Sequence, residues 1–178
     1  MNDLNLHYDF VVKIPNCEVN KKLIDWLAEE NLSDIYETIC EPNMTLNDII
    51  TRIGDELLSI GSEGNTLMIF DPYIFPKKHD VDYKDVFCGI VSRCKSSSVK
   101  VFTDLTRVNE GLLNDIKSVL NVNIIIESKT GLHDRWWIIE EEKKGLHFGT
   151  SLNGYGKGKI STISSFSDSD VISILNSI

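Results

Sequence analysis

Leu132-His133-Asp134-Arg135-Trp136-Trp137-Ile138-Ile139-Glu140, followed after eight residues by Gly149-Thr150-Ser151-Leu152-Asn153, decides how this chain is read. The run Trp136 to Ile139 is aromatic and aliphatic throughout, the composition of a strand buried in a central sheet. Side chains of a strand alternate faces, so a strand reaching back to His133 would present His133 and Arg135 on one side. An imidazole and a guanidinium would then share one surface, with Ser151 and Asn153 arriving from a neighbouring strand end.

Working outward, the pattern of elements fits an α/β layer architecture. Tyr8 to Lys13 reads as a short strand ended by Pro15 and Asn16. Val19, Leu23, Trp26 and Leu27 fall at helical spacing over residues 18–30, and a shorter helix is predicted from Ser33. Thr45 caps the next helix, where Leu46, Ile49, Ile50, Ile53, Leu57 and Leu58 form one apolar stripe that Gly61 ends. Strands at 66–70, 99–103 and 122–127 alternate with helices at 82–95 and 108–120, which predicts crossover connections between parallel strands. The signature strand, a strand at 145–151 and one near 159–165 are close in sequence and should pair antiparallel before a terminal helix from Asp168.

His-x-Arg, four residues, Glu140, then Gly-x-Ser-x-Asn resembles the signature of the phospholipase D superfamily, whose usual form is His-x-Lys, four residues, Asp, then Gly-Ser-x-Asn. The correspondence covers His133, Arg135 in place of Lys, Glu140 in place of Asp, Ser151 and Asn153. Upstream, Thr66-Leu67-Met68-Ile69-Phe70-Asp71-Pro72-Tyr73-Ile74 resembles the strand and turn that precede the active-site half in this superfamily. Asp-Pro-Tyr-Ile and His-Asp-Arg are also similar to the phospholipase D-like domain at the C-terminus of proteins carrying a microtubule-interacting and trafficking domain, a branch associated with membrane binding. The resemblance spans roughly residues 66–165, and residues 1–60 match no named pattern.

The resemblance implies a phospholipase D-like mixed sheet flanked by helices, in a single domain over 1–178. It implies metal-free phosphodiester cleavage without a cofactor: His133 attacks phosphorus while the same histidine of a second protomer protonates the leaving oxygen. Arg135 and Asn153 would hold the non-bridging oxygens, and Ser151 would support them. The superfamily's enzymes need two copies of the signature and this chain carries one, so a working site implies a homodimer. The alternatives are an inactive module that binds a phosphate-bearing ligand, lipid headgroup or protein partner, and a purely structural protein with an acidic surface.

Chain-wide properties narrow these options. At 178 residues the chain suits one domain, given the roughly 100–200 residues usual for one. A net charge of −9 opposes a broad nucleic-acid surface, because affinity for polyanions comes from Lys and Arg on phosphates. It leaves room for a local basic pocket: Lys157 and Lys159 sit in Gly154-Tyr155-Gly156-Lys157-Gly158-Lys159, a segment read either as a phosphate-approaching backbone or as a solvated flexible loop. Cys17, Cys40, Cys88 and Cys94 lack metal-ligand pairing and read as buried reduced thiols. With no secretion signal and no apolar span of roughly 18–20 residues, the expected location is cytoplasmic. Asp71, Thr103 and Asp104 fall at predicted strand ends, where turn and capping roles are the ordinary ones. Glu140, seven residues from His133, falls on the opposite face of a regular strand and opens an acidic turn. His147 is expected on the face opposite Phe148.

Overall fold

The computed structural model describes the backbone of Asn2–Asn5 and Val11–Ile14 and residues 37–177. The chain divides into two compact units, residues 1–37 and 38–178. In the first, β1 (Asn2–Asn5) and β2 (Val11–Ile14) pair antiparallel, with Asn2 opposite Ile14. The sequence pattern gave β2 but missed β1. The helix predicted over 18–30 lies outside the described residues.

The second unit is built on a mixed seven-stranded sheet, an α/β fold. Its elements run β3 (Glu37–Cys40), α1 (Leu46–Ser59), β4 (Thr66–Phe70), α2 (Tyr83–Cys94), β5 (Ser98–Thr103), α3 (Glu110–Val119), β6 (Asn123–Ser128), β7 (Trp136–Ile139), β8 (Lys144–Phe148), β9 (Ser161–Ser165) and α4 (Asp168–Asn176). The spatial order is β3-β9-β8-β7-β4-β5-β6. Residues 37–40 form a strand where the short helix predicted from Ser33 would have continued. Only four residues long, this strand offers too few positions for a period-2 pattern to show.

Crossovers through α2 and α3 make β4, β5 and β6 parallel, whereas β7 runs antiparallel to β4, and β8 and β9 continue antiparallel from it. The C-terminal ends of β4 and β5 therefore share an edge with the N-terminal end of β7. Phe70 is opposite both Phe102 and Trp136, and that face is covered by α4 through Val171, Ile174 and Leu175. The other face carries Trp137, whose ring meets Phe87 of α2 at 6.4 Å and Phe148 at 5.0 Å.

α1 starts as its sequence predicts. Thr45 accepts a hydrogen bond from Asp48 N at 3.2 Å, and the Asp48 carboxylate accepts one from Thr45 N at 2.9 Å, a complete capping box. Ile49, Ile53 and Leu57 are buried, and the helix packs on α2. Cys40, Cys88 and Cys94 are buried free thiols; burial pushes the pKa of Cys40 and of Cys88 up. Among the described residues no helix is long and apolar enough to cross a membrane.

Candidate functional site

At the shared edge, one residue beyond the paired ends, Asp71 follows β4, Thr103 closes β5 and Arg135 precedes β7. The pairing carries on past the strands themselves: Asp71 N donates to Phe102 O at 3.2 Å and Phe148 N donates to Arg135 O at 3.0 Å. Arg135, Asp71 and Thr103 thus form a row across three adjacent strands. Since Phe70, Phe102 and Trp136 face α4, this row faces the α2 side.

Asp71 is 2% exposed, and its Oδ2 lies 3.7 Å from Arg135 Nε. Its Oδ1 accepts a hydrogen bond from Tyr73 N at 2.7 Å, which closes the Asp71-Pro72-Tyr73 turn. Burial raises the Asp71 carboxyl to about 6, against the opposing effects of the Tyr73 N–H and the Arg135 charge. Tyr83, buried beside this pair, donates its phenol to Ile74 O. Its phenol is pushed well above the ordinary tyrosine value, first by burial and then by the Asp71 charge. Tyr155 is likewise raised by burial, with Arg135 acting in opposition. The guanidinium of Arg135 therefore lies close to Asp71 and Tyr73, and its charge acts on the Tyr83 and Tyr155 phenols.

Three buried polar atoms lack a hydrogen-bond partner among the described residues: Arg135 Nε, Thr103 Oγ1 and Ser161 Oγ. Two of them belong to the row described above. A buried donor left unpaired costs about 1–3 kcal/mol, so Arg135 Nε, which meets Asp71 only at ion-pair range, is a donor with unused capacity. The side chain as a whole keeps 22% exposure, although Nε itself is buried.

The other residues singled out from the sequence are dispersed. His133 is exposed, in a loop three residues before β7 begins, so strand alternation does not fix its direction relative to Arg135. Glu140 is exposed in the β7–β8 turn, where its carbonyl accepts from Lys143 N at 3.3 Å. It lies at the far end of β7 from Arg135, roughly 16 Å away at strand rise, and so outside any site that holds Arg135. Ser151 precedes a short helical turn at Leu152–Gly154 and makes no side-chain cap. The Asn153 carboxamide is occupied by the loop after β4, accepting from Asp80 N at 3.4 Å and donating to Lys78 O at 3.3 Å. It lines a small cleft of about 60 Å³ with Tyr83 and Tyr155.

Lys157 pairs with Asp80 at 2.9 Å, and Lys159 is exposed. The glycines here serve close packing: at Gly156, with φ of +68°, an added Cβ would meet Met44 O at 2.5 Å, and Gly158 N donates to Pro42 O at 2.8 Å. His147 is opposite Trp136, not His133, and stands 4.0 Å from Asp134.

Two further residues complete the edge, Tyr73 of the Asp-Pro-Tyr-Ile motif and Arg107, which the sequence did not single out. Tyr73 is 42% exposed, with the Arg107 guanidinium carbon 4.7 Å and that of Arg135 5.9 Å from its ring centroid. Arg107 sits three residues beyond Asp104, which accepts its Nε at 2.9 Å, and nothing in the local pattern marks it. A concavity of about 650 Å³ along α1 is lined by four carboxylates, Glu41, Asp48, Asp55 and Glu56, against one cation, Arg52.

No protein-family model matches the chain, and no curated protein matches it. Similar solved structures include TrmBL2, an archaeal chromatin protein whose structure shows a novel mode of DNA binding, at 11% identity and a TM-score of 0.40 over 90% of this chain and 57% of that one. Polyphosphate kinase from Porphyromonas gingivalis aligns at 13% identity and a TM-score of 0.47 over 79% of this chain and 22% of that one. A yeast tyrosyl-DNA phosphodiesterase mutant aligns at 7% identity and a TM-score of 0.36 over 74% and 31%. The chain spans less than two thirds of the length of each.

Proposed function

We propose that this chain is a phospholipase D-like phosphate-binding protein in which Arg135 is the anion anchor. The observation that carries the reading is the buried Arg135 Nε, a charged donor without a hydrogen-bond acceptor at the ligand-prone edge of an α/β sheet. A guanidinium suits this role because its planar fork meets two phosphate oxygens at once and stays charged. The Asn153 carboxamide is engaged by Lys78 and Asp80, which favours a binding module over an assembled catalytic centre. The ligand class is a phosphate-bearing small molecule or headgroup; the charge of −9 counts against a long nucleic acid.

The exposure of His133 favours a second reading, a phosphodiesterase active as a homodimer. There, the His133 imidazole forms a bond to phosphorus as the P–O bond to the leaving group breaks, and His133 of the other copy gives that oxygen its proton. Water then cleaves the P–N bond and regenerates the imidazole.

Calorimetric titration with orthophosphate tests the first reading. Arg135→Gln should weaken binding at least about tenfold, the worth of one charged hydrogen bond or more; equal affinity in the variant removes the proposal. The second reading is tested by hydrolysis of bis(p-nitrophenyl) phosphate in EDTA. Turnover that vanishes in His133→Ala supports it, and turnover that persists, or is absent from the wild type, rejects it.

A further inference from the structure

We propose that Arg107, Tyr73 and Arg135 form a clamp for a ligand carrying two linked phosphoryl groups, a diphosphate, with Tyr73 as the spacer between two guanidiniums. This inference rests on the reading of Arg135 as a phosphate anchor and extends it to a second cation.

The clamp is assembled by two turns of the same design. After β4, Asp71 accepts the Tyr73 N–H at 2.7 Å; after β5, Asp104 accepts the Thr106 N–H at 3.0 Å and its hydroxyl at 2.7 Å. Each carboxylate also faces the Nε of one arginine, Asp71 that of Arg135 at 3.7 Å and Asp104 that of Arg107 at 2.9 Å. Arg107 is hydrogen-bonded through Nε, which leaves Nη2 for another acceptor, whereas Arg135 meets Asp71 only at ion-pair range. Arg107 Nη1 also donates to the Tyr73 hydroxyl, which ties this guanidinium to the ring.

The two centroid distances, 4.7 and 5.9 Å, bound the separation of the guanidinium carbons at about 11 Å. Two positive groups held that close on one half-exposed ring repel each other, and a ligand with paired negative groups relieves the repulsion. At that upper limit, charge-assisted contacts of about 2.7–2.9 Å at each end span two joined phosphoryl groups and not one. Orthophosphate thus engages Arg135 alone, while a diphosphate engages both forks, with the second contact intramolecular and so favoured.

The test is calorimetry of the full chain with sodium pyrophosphate and sodium orthophosphate, without divalent ions. Pyrophosphate should bind on the order of tenfold or more tightly. Arg107→Gln, at a side chain 49% exposed and so tolerant of replacement, should remove that preference and leave orthophosphate affinity within about twofold. Tyr73→Phe, which keeps the ring but not the phenol that tethers Arg107, should reduce the preference. Orthophosphate binding that depends on Arg135 with no pyrophosphate preference, or a preference that Arg107→Gln retains, overturns the clamp alone. Orthophosphate binding that Arg135→Gln leaves intact overturns the underlying reading as well.

Discussion

Asp71 is a carboxylate shut away from water with one cation at 3.7 Å, and burial outweighs that attraction. Its folded value of about 6 lies above the ordinary 3.8, so between those pH values the native state holds a proton that the unfolded chain has released. Stability from this residue therefore falls as pH rises from about 4 to 6 and the loss is complete above that window, by on the order of 2–3 kcal/mol. Urea denaturation of wild type and Asp71→Asn at pH 4 and pH 7.5 checks the sign: the wild type should lose ground to the variant as pH rises. On the proposed reading of Arg135, the same proton governs anion binding. Neutral Asp71 no longer competes for Arg135, so sulfate, whose charge is fixed in this range, should bind more tightly at pH 5.5 than at pH 7.5. The Asp71→Asn protein should show a smaller change; His79, His133 and His147 are common to both proteins and cancel. A comparable pH dependence in both would uncouple Asp71 from the site. None of this could be read at Asp71-Pro72 itself, because its partner is 64 residues away in sequence and burial is a property of the assembled sheet.

Among the elements, those with long periodic patterns were legible and those defined by pairing were not. The stripe of α1 and its Thr45 cap follow from spacing and local chemistry, as does the alternation that makes β4, β5 and β6 parallel. Thr45→Ala should lower stability by about 1 kcal/mol in urea. An unchanged urea midpoint in the variant would contradict the capping role. The start of β7 was harder. Trp136 to Ile139 identify the strand, but its first residue is set by which partner groups accept its hydrogen bonds. β7 begins at Trp136, with one further bond at Arg135, so the alternation assumed for His133 has no ladder to enforce it. Likewise Asn153 fits the expected motif, yet the loop it meets, Lys78 to Asp80, belongs to a different crossover. The sequence marks these residue types; tertiary structure assigns their partners.

For the whole molecule, the proposed clamp sets a local pair of guanidiniums against a global charge of −9, and that balance would determine which anions bind. At 0.1 M salt the Debye length is about 10 Å, so acids on distant surfaces are largely screened while Arg107 and Arg135 act at contact range. A short phosphodiester strand would be held at the proposed clamp by two contacts, since among the described residues Lys157 is paired with Asp80, Lys100 with Glu127 and Lys95 with Glu63. Counterion release scales with the phosphates neutralised, and two contacts to a single strand give a slope of about −1.4 in a plot of log K against log salt concentration. Fluorescence anisotropy with a labelled single-stranded oligonucleotide, from 50 to 200 mM salt on the usual working scale of about that range, measures it. Arg107→Gln should halve the slope, because one phosphate contact is lost. A wild-type slope steeper than about −4 would require several more neutralised phosphates than two guanidiniums supply, and would point to an extended cationic track instead of a two-fork clamp.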